Sequence, residues 1–187
     1  MPRAFDQAVA ALALLVLSPF LLAAAIWIKL GSRGPVFYRQ RRVGRGGEEF
    51  ELLKLRTMVA GSDPVGVGTA VLRDDPRVTG AGRFLRRFSL DEVPNLVNVL
   101  RGEMAIVGPR PTIPPQVADY TPAQHRRHEV RPGITGWAQV RGRAGIPWSE
   151  RIELDVWYVD HRSAALDARI LARTVWLVIT GQGLAPD

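Results

Sequence analysis

The stretch from Gln7 to Ile28 carries no charged residue, and it constrains the fold more than any other part of the chain. These 22 residues would form a helix about 33 Å long, close to the roughly 30 Å hydrocarbon core of a bilayer. A buried helix of a soluble protein does not need so long an apolar run. A cleaved signal peptide fits poorly, because the apolar run is long for a signal sequence, Asp6 weakens the basic region, and no convincing small-residue cleavage site separates the run from Lys29. We therefore predict a membrane-embedded helix.

The Ser18-Pro19 pair near the middle of this stretch predicts a kink or break. Proline lacks a backbone donor and clashes with the carbonyl four residues earlier, whereas a neighbouring serine hydroxyl can satisfy a freed backbone group inside lipid. Two arrangements follow: a kinked helix that spans the bilayer, and a helix–break–helix that enters and leaves by the same face. Basic residues flank both ends, at Arg3 and Lys29, which favours a cytoplasmic location for both. The residues alone leave the two arrangements open.

Composition narrows the kind of partner. The 187 residues include 25 basic and 18 acidic side chains, for a net charge of +7, which indicates an anionic partner such as phosphate groups, nucleic acid or an acidic membrane surface. The chain has no cysteine, so disulfides and thiolate metal sites are excluded. The length favours one compact domain, predicted at 33–187, with the membrane segment at 1–32 as an appendage.

The remaining patterns predict an α+β, mainly helical domain with one small β-hairpin. Val36–Tyr38 and Phe50–Leu55 flank the glycine-rich Gly44–Gly47, which is typical of a hairpin. Ser89 and Glu92 have the spacing of a capping box at the start of one helix, and Gly102 supplies its C-terminal stop. Helical spacing and capping signals predict helices over 83–88, 90–100, 121–130, 147–161 and 167–180.

Asp91-Glu92 is the strongest candidate for chemistry. The pair lies near a predicted helix N-terminus, where the dipole and free amide groups favour anions. A carboxylate there can act as nucleophile, metal ligand or base, and Arg86 and Arg87 just upstream could hold phosphoryl oxygens. Taken in isolation, two acidic residues in a first helical turn are ordinary capping.

Two further segments could contact phosphate. Arg110 lies between Pro109 and Pro111, which restrict the backbone around it, and Arg131 precedes small residues that let a ligand approach the backbone. Each segment alone is typical of a surface loop. His125 and His128 have a spacing found in zinc sites, but no third ligand is evident, so we interpret them as surface histidines.

Seven segments, taken together and in order, resemble the bacterial sugar transferases, which are monotopic phosphoglycosyl transferases. Each segment alone is weak, but the ordered set is specific and covers nearly the whole chain. The segments are Ser18-Pro19, Lys54–Met58, Asp75–Thr79, Ser89–Leu96, Val107–Pro111, Arg131–Val140 and Glu153–Val159. Larger members of that family carry extra membrane helices and a further domain before this region, so the chain resembles their minimal catalytic core.

The resemblance implies a re-entrant helix broken at Ser18-Pro19, with both ends and the catalytic domain on the cytoplasmic side of the bacterial inner membrane. It implies that Asp91 attacks the sugar-bearing phosphorus of a UDP-sugar, that UMP leaves, and that undecaprenyl or another polyprenyl phosphate then accepts the sugar phosphate. Mg²⁺ is the expected cofactor, with Asp91 as its contact, and Glu92 is expected to assist as base or metal ligand.

The family also implies a set of substrate contacts. The expected partners are a UDP-sugar, polyprenyl phosphate and membrane lipids, with no nucleic acid, and the motifs specify neither the sugar nor the oligomeric state. Arg86 and Arg110 are the leading phosphate contacts. The full set of expected substrate-binding residues is Arg86, Arg110, Pro111, Lys54, Arg131 and Gln139.

Two other functions remain open from the residues. One is a membrane-associated glycosyltransferase that moves the sugar alone and releases UDP in place of UMP. The other is a non-catalytic basic module that binds membrane or nucleic acid, which would explain the charge of +7 but would not require Asp91.

Overall fold

The computed structural model describes residues 2–62, 75–142 and 146–180. Within these ranges the chain is mainly helical with two small sheets, which confirms the predicted α+β class. The strands are β1 (Phe37–Val43), β2 (Glu49–Leu55), β3 (Ala105–Val107) and β4 (Gly133–Thr135). The helices are α1 (Arg3–Gly31), α2 (Gly80–Arg87), α3 (Asn95–Arg101), α4 (Pro114–Val117), α5 (Pro122–His125), α6 (Trp137–Gly142), α7 (Trp148–His161) and α8 (Ala164–Thr180).

Helix α1 is one helix of 29 residues with Pro19 inside it, so the Ser18-Pro19 pair does not divide it into two separate helices. The Ser18 hydroxyl donates to the carbonyl of Leu15 at 2.8 Å, which is the carbonyl that an amide at position 19 would have bonded. This serine therefore satisfies the backbone group that proline frees, and helical structure continues. By length and composition alone, α1 is the one helix among the described residues that could cross a membrane.

Both ends of α1 pack on the rest of the protein. Near its start, Gln7 donates to the carbonyl of Leu100 at 2.7 Å, and the fully buried Ala10 packs in a cluster with α3. Near its end, Ala24 and Ile28 are buried against β2 and α2. Large apolar side chains on the opposite side are exposed to between 63% and 83%: Leu12, Leu15, Val16, Leu22 and Leu30.

Strands β1 and β2 form the predicted antiparallel hairpin, with Phe37 opposite Leu55 and Val43 opposite Glu49. Gly46 and Gly47 in the turn have φ values of 70° and 85°, a backbone conformation that glycine adopts without steric cost. Leu52 and Leu55 point to opposite faces of β2 and are buried in two separate clusters, and the half-buried Lys54 lies on the same face as Leu52.

Strands β3 and β4 form a two-stranded parallel sheet that the sequence did not predict. Ala105 lies opposite Gly133 and Val107 opposite Thr135. A Cβ atom on Gly133 would lie 2.1 Å from the amide nitrogen of Gly108, so only glycine permits this close approach. The sheet brings the segment that follows β3, which carries Arg110, beside the segment that leads into β4.

The region around Asp91 differs from the predicted continuous helix over 90–100. A single 3₁₀ turn, Leu90–Glu92, precedes α3, and Gly102 ends α3 with φ of 83° as predicted. The predicted capping box is wrong, because Ser89 has φ of 54° and its side chain makes no capping bond. The Glu92 carboxylate is instead bound by Lys54 and Arg110, whose charged donors are stronger partners than a backbone amide.

The other predicted helices are found with shifted ends. The helix predicted over 83–88 is α2 at 80–87, and that over 121–130 consists of α5 followed by a 3₁₀ turn, Arg126–Glu129. Helix α7 follows Pro147 and ends at His161 as predicted, and α8 begins three residues earlier than predicted. Helices α6, α7 and α8 pack with β3 around the buried Trp137, Tyr158 and Ile170.

Candidate active site at Asp91 and Glu92

The turn between α2 and α3 places Asp91 and Glu92 where three other parts of the chain meet. Lys54 comes from β2, Arg86 from the last turn of α2, and Arg110 from the segment after β3. Arg42, Lys54, Glu92, Asn95, Arg110 and Pro111 are among the residues that line one small cavity. The structure therefore brings together six residues predicted for the site: Lys54, Arg86, Asp91, Glu92, Arg110 and Pro111.

Glu92 is fully engaged by cations. Its Oε1 accepts from Lys54 Nζ at 2.7 Å and from Arg110 Nη2 at 2.6 Å, and its Oε2 accepts from Arg110 Nη1 at 3.4 Å. Burial by itself raises the pKa of Glu92, but Arg110 and Lys54 outweigh it and hold the pKa well below its usual range. Glu92 is thus an anionic anchor that orients two cationic side chains.

Asp91 has the opposite environment. Among the described residues it has no hydrogen-bond or ion-pair partner, although it is half-buried. Burial raises the pKa of Asp91, and the neighbouring Glu92 charge adds to this, while Lys54, Arg86 and Arg110 act against it. A carboxylate with free oxygens and a raised pKa is poised to react or to bind a metal ion, because no fixed partner has to be displaced first.

Arg86 is the cation next to Asp91 that retains free donors. Its Nε donates to Thr57 Oγ1 at 2.9 Å, and within the described residues its two terminal nitrogens have no partner. Burial lowers the pKa of Arg86, while Asp91 and Asp75 raise it. Thr57 fixes the guanidinium from one side, and the planar fork of two free nitrogens suits a phosphate group.

Charge in this region favours an anionic ligand. Four cationic side chains surround two carboxylates, so the site carries an excess of two positive charges: Arg42, Lys54, Arg86 and Arg110 against Asp91 and Glu92. Such an excess in a partly buried site matches a diphosphate group.

Two predicted substrate contacts, Arg131 and Gln139, form hydrogen bonds with other parts of the protein. Arg131 donates to Asp6 Oδ2 at 2.7 Å and to the carbonyl of Met104 at 2.9 Å, so it joins α1 to the domain. Gln139 donates to the carbonyl of Ile134 at 3.0 Å, and Ile134 is one of the residues that line the cavity. Their roles in substrate binding stay predictions.

Two arginines that sequence reasoning did not single out hold the Arg110 segment. Arg42 donates to the carbonyl of Pro111 at 2.9 Å, and burial together with Arg110 lowers the pKa of Arg42 to about 10. Arg127 donates to the carbonyl of Arg110 at 2.8 Å. Arg127 is adjacent to His128, which is buried, so the interpretation of His128 as a surface residue is wrong. The only signal in the sequence was the density of arginine, which does not distinguish one from another.

The free Asp91 carboxylate fits the expected Mg²⁺. Among the described residues, no group of three or more His, Cys, Asp or Glu side chains could hold a metal ion. Mg²⁺ does not need such a cage, because it commonly binds through one or two carboxylates and completes its shell with waters and substrate phosphates. Asp91 offers the hard oxygen ligand and Glu92 does not, since its oxygens already bind Lys54 and Arg110.

Comparisons with known proteins identify the family of the chain. The chain is 46% identical over 184 residues to an uncharacterized sugar transferase, EpsL, of Bacillus subtilis (strain 168), covering 97% of this chain and 89% of that protein. It is 45% identical over 186 residues to a UDP-glucose:undecaprenyl-phosphate glucose-1-phosphate transferase of Caulobacter vibrioides, covering 95% and 69%. It is 40% identical over 187 residues to a UDP-N-acetylgalactosamine-undecaprenyl-phosphate N-acetylgalactosaminephosphotransferase of Aeromonas hydrophila, covering 97% and 44%. The family model of the bacterial sugar transferases matches residues 1–181, and the chain therefore belongs to the bacterial sugar transferase family.

Proposed function

We propose that this protein transfers a sugar 1-phosphate from a UDP-sugar to undecaprenyl phosphate through a covalent intermediate on Asp91. The observation that carries the proposal is the contrast within the dyad: Glu92 is held by two cations, whereas Asp91 has no fixed partner among the described residues. Two relatives support the reaction class, since both are named as transferring a sugar phosphate from a UDP-sugar to undecaprenyl phosphate.

In the first half-reaction, a carboxylate oxygen of Asp91 attacks the sugar-bearing phosphorus. A bond forms between Asp91 and that phosphorus, the bond from the phosphorus to the oxygen bridging to UMP breaks, and UMP leaves with the electron pair. Arg86 and Arg110 offset the negative charge that otherwise keeps a carboxylate away from a diphosphate. Mg²⁺ bound at Asp91 would neutralise further phosphate charge.

In the second half-reaction, a phosphate oxygen of the polyprenyl acceptor attacks the same phosphorus. The bond to Asp91 breaks, the carboxylate is restored, and a polyprenyl diphosphate sugar is the product. Each step exchanges one phosphorus–oxygen bond for another, so no oxidant or further reactant is needed. The lipid acceptor explains why α1, with its exposed apolar side, is joined to the catalytic domain.

We further propose that α1 enters and leaves the membrane by the same face. A helix of 29 residues is about 43 Å long, enough to cross a bilayer, yet its two ends pack on one domain. Asp6 binds Arg131 near the start, and Arg56 donates to the carbonyl of Ser32 at 2.9 Å just beyond the end. One domain cannot lie on both sides of the membrane. Basic residues at both ends favour the cytoplasmic side.

The topology can be tested directly because the chain has no cysteine. Single cysteines at the exposed Ala4 and Arg33 would be labelled with an impermeant maleimide in right-side-out and inverted membrane vesicles. We expect both sites to react in inverted vesicles alone. Reaction of the two sites from opposite faces would refute re-entry.

The chemistry is tested by product analysis. We would incubate the protein in nanodiscs with undecaprenyl phosphate, Mg²⁺ and a panel of UDP-sugars, including UDP-glucose and UDP-N-acetylgalactosamine, and measure UMP and UDP. The expected result is UMP release with at least one sugar, lost with EDTA and with Asp91→Asn. Asp119→Asn is the matched control, since Asp119 is exposed and has no hydrogen-bond or ion-pair partner among the described residues.

Two results would overturn the covalent route. Release of UDP would indicate transfer of the sugar alone. Full activity of Asp91→Asn would show that this carboxylate is not the nucleophile. A positive outcome can be carried further, because rapid quenching without lipid acceptor should trap the phosphosugar on a peptide that contains Asp91, detected by mass spectrometry.

A further inference from the structure

The segment Pro109–Thr112, which carries Arg110, has no regular secondary structure, yet each of its backbone carbonyls accepts a hydrogen bond. Gly133 donates to Pro109 at 2.9 Å, and Val43 donates to Thr112 at 2.8 Å, both from backbone amides. The carbonyls of the two middle residues accept from side chains: the Arg110 carbonyl from Arg127 at 2.8 Å, and the Pro111 carbonyl from Arg42 at 2.9 Å. The backbone of Arg110 is therefore fixed from several sides.

Arg127 is the more buried of the two side-chain donors, with 2% of its surface exposed. Besides the Arg110 carbonyl, its terminal nitrogens donate to the Tyr120 hydroxyl at 2.8 Å, to Thr112 Oγ1 at 3.4 Å and to the carboxylate of Asp155. Asp155 lies on α7 and is 3% exposed. The pair thus connects α7, the 3₁₀ turn Arg126–Glu129 and the Arg110 segment through one guanidinium.

A buried ion pair is seldom the most stable choice for a core position, because desolvation of both charges offsets much of their attraction. The pair instead fixes the geometry of the hydrogen bonds that the Arg127 guanidinium makes. The planar fork of arginine can bond a carboxylate, a hydroxyl and a backbone carbonyl at once, and lysine cannot reproduce that geometry. The bond to the Arg110 carbonyl lies on the same residue whose guanidinium meets Glu92 at 2.6 Å.

We propose that Arg127 and Asp155 are positioning residues. They hold the Arg110 backbone where the Arg110 guanidinium can contact both Glu92 and the phosphates of the nucleotide sugar. This inference rests on the proposed function, in which Arg110 contacts the donor. Displacing a substrate-positioning group by about 1 Å can cost on the order of a hundredfold in rate, so a contact remote from the reacting atoms is enough to control activity. Asp155 acts through Arg127, and Arg127 acts through the Arg110 backbone.

The kinetic test is a double-mutant cycle. Asp155→Asn is made in the wild-type and the Arg110→Ala backgrounds, and kcat and KM for the UDP-sugar are measured in nanodiscs. In the wild-type background we expect kcat/KM to fall on the order of tenfold or more, mainly through KM for the nucleotide sugar. In the Arg110→Ala background the same substitution should change kcat/KM less than about twofold, since the group being positioned is gone.

The neighbouring pair Arg126–Asp160 provides a matched control. It also joins the 3₁₀ turn Arg126–Glu129 to α7, with Nη2 to Oδ1 at 2.5 Å, but its side chains are 43% and 40% exposed, and neither is hydrogen-bonded to the Arg110 segment. Asp160→Asn should leave both kinetic constants unchanged. Tyr120→Phe, which removes one of the Arg127 bonds without altering charge, is the milder variant if Asp155→Asn does not fold. Its smaller rise in KM should likewise disappear in Arg110→Ala.

A second measurement does not depend on activity. If the pair positions Arg110 on Glu92, then Asp155→Asn or Tyr120→Phe and Glu92→Gln should be non-additive in thermal unfolding, with the double variant losing less Tm than the two single losses together. If Asp155→Asn lowered kcat/KM by the same factor in both backgrounds, the positioning role would be overturned. Additive losses of Tm would overturn it as well. A wild-type protein that releases no UMP would instead count against the proposed function, and the Tm cycle would still decide whether the pair acts on Arg110 and Glu92.

Discussion

The ion pair between Asp6 and Arg131 joins the start of α1 to the catalytic domain, and Asp6→Asn tests how strongly. The Asp6 side chain is 1% exposed and that of Arg131 is 17% exposed, with 2.7 Å between Oδ2 and Nη2. Breaking a buried pair by removing one partner costs about 3–5 kcal/mol. Asparagine can still accept one bond, and Arg131 keeps its bond to Met104, so we expect a loss of about 2–3 kcal/mol in the free energy of unfolding.

The assay is thermal unfolding in nanodiscs, arranged as a cycle of Asp6→Asn and Arg131→Met. For a chain of this length, about 2–3 kcal/mol corresponds to a fall in Tm of roughly 4–12 °C. The coupling between the two substitutions should exceed about 1 kcal/mol. The exposed pair Arg39–Glu51, 3.7 Å apart with side chains 68% and 60% exposed, is the control and should couple by less than about 1 kcal/mol.

A coupling for Asp6 and Arg131 no larger than that of the control would refute this reasoning. It would mean that the start of α1 is not held on the domain, and the main support for same-face entry would be lost. The same variants also separate two roles for Arg131. If Arg131→Met abolishes UMP release while Asp6→Asn does not, Arg131 contacts substrate as the family resemblance implies. Equal effects of both would indicate that its function is to hold α1.

Three further outcomes can be measured. A Cβ atom on Gly82 would lie 2.0 Å from the carbonyl oxygen of Thr57, so Gly82→Ala should lower the free energy of unfolding by about 1–3 kcal/mol. It should also reduce activity, because Thr57 binds Arg86. Gly80→Ala is the control: its Cβ would meet open space, so it should be neutral or stabilising in thermal unfolding. Burial raises the pKa of Asp91 above its ordinary 3.8, so ionising it costs folding free energy at neutral pH and nothing below about pH 4; Asp91→Asn should therefore raise Tm at pH 7, with the gain vanishing on acidification. If Asp91 is the nucleophile, kcat/KM of the wild type should likewise rise with pH through a pKa above 3.8, because the attacking carboxylate must be ionised, as a pH–rate profile would show.

Local signals predicted the elements that depend on neighbours in sequence. The glycine-rich turn predicted the hairpin, Gly102 predicted the end of α3, and Pro147 predicted the start of α7, because each of these features acts within a few residues. The parallel pairing of β3 and β4 could not be predicted in this way. Three residues in each strand show no periodicity, and the pairing depends on the approach of Gly133 to Gly108 across the chain.

The capping box at Ser89 shows how a correct spacing can carry a different interaction. Ser89 and Glu92 satisfy the pattern, but the pattern does not include Lys54 and Arg110, which come from distant parts of the sequence. Two charged donors bind a carboxylate more strongly than one backbone amide does, so the long-range contacts determine the geometry. For the same reason, the sequence did not predict that Arg127 would pair with Asp155, which lies 28 positions further along the chain.

The structure also separates two residues that the sequence could only treat as a pair. Asp91 and Glu92 are adjacent, equally acidic and part of one motif, yet their surroundings shift their pKa values in opposite directions. Since Glu92 is already bound by Lys54 and Arg110, it would have to lose those bonds before acting as a nucleophile, and Asp91 would not. In the proposed reaction the division of roles therefore comes from which carboxylate the cations hold, and we expect the nucleophile to be the one that they leave free.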